Sequence, residues 1–179
     1  DLHLLSRRQR QMCIRDRIGH IHQYINKLGI CDFNLSETED SMHRNPSKTY
    51  LNWSTPAEMV RLLEIADKKE LFDPIYKDFL WNTMIATSTG SNKLKGLLPS
   101  NTIVGHKTGS SDRNSEGVKI ADNDAGVVIM PDGKKYYIAV FVMNSRETDD
   151  ENAAIIARIS RMVYDEYLSE NYISQEGER

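Results

Sequence analysis

Val104-Gly105-His106-Lys107-Thr108-Gly109-Ser110-Ser111 is the stretch on which the fold turns. The residues leading into it, Thr102 to Lys107, are partly β-branched and read as a short strand. The string then enters a polar loop. A Lys-Thr-Gly at a strand edge offers an ammonium, a hydroxyl and unencumbered backbone, three things that suit a bound carboxylate. The following backbone N–H, that of Ser110, can point into a site and stabilise an oxyanion. His106 precedes the lysine on the strand, so its side chain faces the other way and reads as packing.

Downstream of this string, Ala125 to Met130 is a near-continuous apolar run, Pro131-Asp132-Gly133-Lys134 is a turn, and Tyr136 to Met143 is a second apolar run. Two such runs joined by a Pro-Asp-Gly turn predict an antiparallel hairpin. Glu151 to Leu168 follows as a helix with Ile156, Ile159, Val163 and Tyr167 along one side. Upstream, apolar residues at Ile18, Ile21, Ile25 and Leu28 recur at spacings of three and four and predict a helix ended by Gly29. Cys31 to Tyr50 is polar, contains Pro46 and reads as a long loop. Ser54-Thr55-Pro56-Ala57-Glu58 opens the next helix, whose apolar face is Met59, Leu62, Leu63 and Ala66. Asp73 to Thr83 is a shorter helix carrying Ile75, Phe79, Leu80 and Trp81, and Gly90, Gly96 and Pro99 break the chain after it. Strands flanked by helices on both sequence sides predict an α+β arrangement, an antiparallel sheet packed by helices.

The 179 residues are 39% apolar and 27% charged with a net charge of −3, the balance of a globular domain with no basic field for nucleic acid. No apolar run reaches transmembrane length. Of the two cysteines, Cys31 sits in an apolar stretch and reads as a small buried hydrophobe. No Cys/His cluster has metal spacing, and the expectation is no metal and no cofactor. Residues 1–17 hold a basic, glutamine-bearing run (Arg7 to Gln11) that does not match the rest, and read as a foreign or disordered leader. Residues 18–171 read as one domain and 172–179 as a flexible tail.

Taken in order, Thr87-Ser88-Thr89-Gly90, Leu94-Lys95-Gly96-Leu97-Leu98-Pro99, Gly105-His106-Lys107-Thr108-Gly109 and Asn123-Asp124-Ala125-Gly126 resemble the second half of a class A serine β-lactamase. Gly29-Ile30, Thr38-Glu39 and Asn52-Trp53-Ser54-Thr55-Pro56 resemble its Ω-loop region, in the longer form of the cephalosporinase-like, extended-spectrum subgroup. The resemblance covers residues 18–171. It implies a serine β-lactamase/penicillin-binding transpeptidase-like fold, here incomplete, and β-lactam hydrolysis through a serine acyl-enzyme. It assigns Glu39 to the carboxylate that activates the deacylating water, by the pattern Thr38-Glu39-x-x-Met42, with Glu37 as runner-up and Asp40 a third nearby acid. The wider class has Glu-x-x-Leu-Asn, whereas Met42 and His43 stand here. Asn52 falls at the base of the loop. Lys107, Thr108, Gly109 and Ser110 would bind substrate, with Ser111 and Arg113 at the rim as solvated residues.

Ser-x-x-Lys and Ser-Asp-Asn, the two partner motifs of the family, occur nowhere in the chain. A covalent mechanism without its nucleophile has no first step. The sequence therefore reads as the C-terminal portion of such an enzyme, inactive by itself. The implied partner is a β-lactam, and the complete protein is expected to be a periplasmic or secreted monomer. The alternatives are a penicillin-binding transpeptidase-like fragment, a serine glutaminase of the same broad fold, and a non-catalytic degenerate domain.

Overall fold

The computed structural model describes residues 17–176, with side chains to Ser169. The leader, all but Arg17, and Cys13 lie outside the described residues. The chain divides into two compact units, 1–65 and 66–179.

In the first unit, helix α1 spans 17–27. Gly29 ends it with φ +85° and its N–H on the Asn26 carbonyl at 2.9 Å, a left-handed cap that a side chain would strain. Ile30 then takes the buried place, and Cys31, expected to be buried, is exposed. The apolar stretch has room for one inward residue at this turn, and it is the isoleucine. Strand β1 (Phe33–Asn34) pairs antiparallel with β2 (Trp53–Ser54), pinching the base of the segment between them. That segment, which reads as a loop, carries helix α2 (Glu39–Arg44) and a 3-10 turn (Pro46–Leu51). Each starts on a side-chain cap: Thr38 Oγ1 accepts from the Ser41 N–H at 3.2 Å, and Asn45 Oδ1 from the Ser47 N–H at 3.2 Å. Neither buries a residue, so neither leaves an apolar period in the sequence. Helix α3 (Pro56–Lys68) begins as expected, Thr55 Oγ1 accepting from the Glu58 N–H. Its Met59, Leu62, Leu63 and Ala66 are half-buried, and Ile65 is its buried residue.

The second unit is built on a three-stranded antiparallel sheet in the order β3 (Ile103–Ser110), β4 (Lys119–Ile129), β5 (Lys135–Ser145). The hairpin turn is the expected one: Gly133 has φ +82° and the Met130 N–H meets the Lys134 carbonyl at 2.8 Å. In this register Val104, Val128 and Ile138 share one face of the sheet, and Gly105, Val127 and Tyr137 share the other. Helix α5 (Asp149–Glu176) packs on the first face. Its Ile156 and Tyr164 form the core with Leu94, Val104, Val128, Met130, Ile138 and Val140. Full burial of each such aliphatic side chain contributes roughly 2 kcal/mol. Helix α4 (Pro74–Ile85), capped by Asp73, lies against the other face, where a Cβ on Gly105 would sit 3.2 Å from Ile85 Cγ1. The result is helix, sheet, helix, the α+β arrangement the sequence predicts.

Three boundaries differ from the sequence reading. Strand β3 runs on through the Lys-Thr-Gly to Ser110 instead of leaving the sheet, and β4 starts at Lys119, six residues ahead of its apolar run. The two extensions pair with each other, Thr108 opposite Asp124 and Ser110 opposite Asp122. Helix α5 continues to Glu176, through the residues expected as a polar tail. On α4, Ile75 and Phe79 are 68% and 71% exposed, so this helix turns part of its apolar surface outward. No helix among the described residues is long and apolar enough to cross a membrane.

Candidate active site

Strand β3 is an edge strand among the described residues, and it carries Lys107, Thr108, Gly109 and Ser110 consecutively near its end. Alternation sends Lys107 to the α4 face, where it is exposed and its ammonium donates to the carbonyl of Thr108. Thr108 and Ser110 point to the opposite face. Thr108 is half-buried against the turn formed by residues 87–98, its Oγ1 3.5 Å from Thr89 Oγ1. Gly90 lets that turn close in: its φ is +68°, and a Cβ there would meet the Thr108 methyl at 2.4 Å. The edge thus presents a cation, a hydroxyl and two open backbone positions within four residues.

Beneath the edge lies a row of buried charged and titratable groups that the sequence reading missed. His106 is fully buried, and its Nδ1 lies 2.9 and 2.8 Å from the two carboxylate oxygens of Asp124. The packing role expected for it is therefore joined by a hydrogen bond. Asp124 also accepts the Leu94 N–H at 3.2 Å. Two residues back along β4, buried Asp122 pairs with the buried ammonium of Lys93. The available signal was the spacing: Asp122 and Asp124 stand four and two residues before Gly126, on the same face of the strand.

Glu39 lies in the first unit, at the first position of α2. Its carboxylate is 82% exposed, 3.6 Å from His43 Nε2. The rival acids are committed elsewhere. Glu37 holds Lys48 Nζ with both oxygens at 3.1 Å and accepts from Ser41 Oγ at 2.5 Å. Asp40 pairs with Arg44 at 2.9 Å. Asn52 closes the loop base: its Oδ1 accepts from the N–H groups of Ser36 and Glu37, and its Nδ2 donates to the Glu37 carbonyl, all within 3.0 Å. Arg113, expected to be solvated, instead donates to the carbonyls of Gly117 and Glu147 and to Asp149. Ser111 accepts the Ala121 N–H. Both hold the end of the sheet together.

Residues 10–167 match the profile of the β-lactamase enzyme family. The chain belongs to that family. It is 68% identical over 149 residues to a β-lactamase of Bacteroides uniformis, a match covering 83% of this chain and 50% of that protein. Among solved structures it resembles a class A β-lactamase from Bacteroides cellulosilyticus, with a TM-score of 0.80 and 64% identity over 83% of this chain and 53% of that one. It also resembles the TLA-3 extended-spectrum β-lactamase, with a TM-score of 0.82 and 46% identity over 84% and 55%. The fold is that of the class A β-lactamases, and the chain spans about half the length of the curated relatives it matches. Within this β-lactamase family chain, Lys107 to Ser110 come together on one strand, and Glu39 belongs to the other compact unit.

Proposed function

We propose that the complete protein hydrolyses β-lactams through a serine acyl-enzyme, and that this chain supplies the carboxylate-binding edge and the deacylating base but no nucleophile. The observation that carries the reading is the Lys107–Ser110 edge on β3 in a chain of this family. An ammonium and a hydroxyl on consecutive residues of one strand edge can hold a substrate carboxylate by charge-assisted hydrogen bonds. A preorganised N–H at Ser110 stabilises the oxyanion that develops as the lactam carbonyl is attacked. Deacylation requires an ionised carboxylate with lone pairs open to water. Of the three acids near the loop start, Glu39 is assigned that task, because Glu37 and Asp40 spend theirs on Lys48, Ser41 and Arg44. The complete protein is assigned to the periplasm or the cell exterior as a monomer, as its family resemblance implies.

The test joins this chain to the portion of the Bacteroides uniformis β-lactamase that it does not match. The chimera is expected to hydrolyse a chromogenic cephalosporin and to lose activity on Lys107→Ala. A folded chimera without turnover overturns the reading. A penicillin adduct that forms and then persists in the unmutated chimera moves the transpeptidase reading ahead.

A further inference from the structure

We propose that His106, held by Asp124, is a positioning residue for the Lys107–Ser110 edge. It sits one residue before Lys107 yet on the opposite side of β3, fully buried, where it cannot meet a substrate. Its Nδ1 faces both oxygens of Asp124. Asp124 already accepts the Leu94 N–H and is therefore the acceptor, with the proton on Nδ1. One carboxylate thus ties three pieces of backbone together: β4, which carries it, β3 through the imidazole, and the 87–98 turn through Leu94. That turn presses on the edge itself. A Cβ placed on Gly90 would meet Thr108 at 2.4 Å and His106 Cε1 at 3.7 Å, so the imidazole and the binding threonine lean on the same glycine. The ladder bonds of β3 fix its register on β4. The distance from Thr108 to the turn is fixed by this buried clasp.

Charge makes the clasp specific. Asp122 and Asp124 bring two buried carboxylates to one face of β4, where the Lys93 ammonium and the His106 imidazole are the side chains that meet them. Other charged side chains meet the turn at its backbone carbonyls, Lys95 donating to Thr87 and Arg161 of α5 to Leu97. Ala157 of α5 lies against Gly96, Ser160 of α5 donates to the Leu94 carbonyl, and Ile85 of α4 covers Gly105. A buried carboxylate left without its donor must find a proton or distort its surroundings. The geometry therefore couples the hydrogen bond of the imidazole to the position of the edge.

The inference rests on the reading of the edge as the substrate-binding strand, but its test uses no substrate and so stands or falls separately. In the full 179-residue chain labelled with nitrogen-15, the backbone amides of Lys107 to Ser110 are compared between the parent and two His106 variants. His106→Asn, which keeps an N–H for Asp124, should leave the edge near its native shifts. His106→Leu should displace those shifts and speed hydrogen exchange of the β3 amides bonded to β4 by about tenfold. His106→Leu spectra that match the parent at the edge, or an edge displaced equally by His106→Asn, overturn the proposal. Should both variants fail to fold, the unmutated chain decides: a His106 Nδ1–H that exchanges as fast as that of a surface imidazole overturns it.

Discussion

Glu37 and Glu39 stand two residues apart and differ in what their carboxylates already hold. Glu37 spends both oxygens on the Lys48 ammonium and one also on the Ser41 hydroxyl, and Asn52 grips its backbone from both sides. Its task is to brace the loop. Glu39 occupies the first turn of a short helix, and its carboxylate is exposed. In the chimeric enzyme, Glu39→Gln should slow deacylation by about a hundredfold or more, because glutamine keeps the shape and cannot take a proton from water. Mass spectrometry after mixing with a penicillin should show the adduct persisting. Glu37→Gln should lower the unfolding temperature while the adduct still clears. The reverse pattern would move the base by two residues. The sequence alone offers three acids, and the resemblance alone chooses Glu39 among them. The hydrogen bonds that separate them depend on Lys48 and Asn52, eleven and fifteen residues downstream of Glu37, and no local pattern reports such partners.

At the level of elements, contact between strands sets the tightest constraint. A Cβ on Gly126 would lie 2.2 Å from the Gly105 carbonyl oxygen and 2.9 Å from His106 Cα, both backbone atoms of β3 that cannot swing aside. Gly126→Ala should therefore force the two strands apart and cost about 3 kcal/mol in chemical unfolding. An alanine tolerated within experimental error would mean that the β3–β4 spacing is wrong. Within the second unit, the tie between Asp67 and β5 is electrostatic. Burial pushes the Asp67 carboxyl upward, but hydrogen bonds from Lys135 and Tyr137 and the charges of Lys135 and Lys77 outweigh it and hold the group below the usual carboxylate range. A depressed value in the folded state means that the stabilisation is complete above the unfolded value, about 3.9, and is lost as the pH falls through the folded one. Asp67→Asn should thus destabilise by about 1.5 kcal/mol at neutral pH. The gap from the parent should close on acidification through the folded-state value. Thermal unfolding at neutral and acid pH reads it, and a gap unchanged in acid would assign the loss to packing.

Across the whole molecule, the legible parts are those whose inward face is apolar. The hairpin, α3, α4 and α5 announce themselves by period and by their caps. The first half of β4 does not, because its inward positions are Asp122 and Asp124, satisfied by Lys93, His106 and Leu94 rather than by hydrocarbon. A strand that buries charge looks like a loop until its partners are known. The same holds for the Glu39–Leu51 segment, where caps and side-chain bonds replace a core. The Lys107–Ser110 edge of β3 differs in kind: its residues are contiguous, so spacing along the chain is spacing along the strand. Catalysis needs more than contiguity. Ser-x-x-Lys and Ser-Asp-Asn occur nowhere in the chain, and in the proposed function the acyl-enzyme step therefore draws its nucleophile from outside it. The purified chain is therefore expected to leave a chromogenic cephalosporin intact under conditions in which the chimera turns it over, and to show no mass increase after incubation with a penicillin. Turnover by the chain alone that disappears on Glu39→Ala would place a nucleophile within these residues. The search would then begin at the hydroxyls that line the β3 edge, Thr89, Thr108 and Ser110.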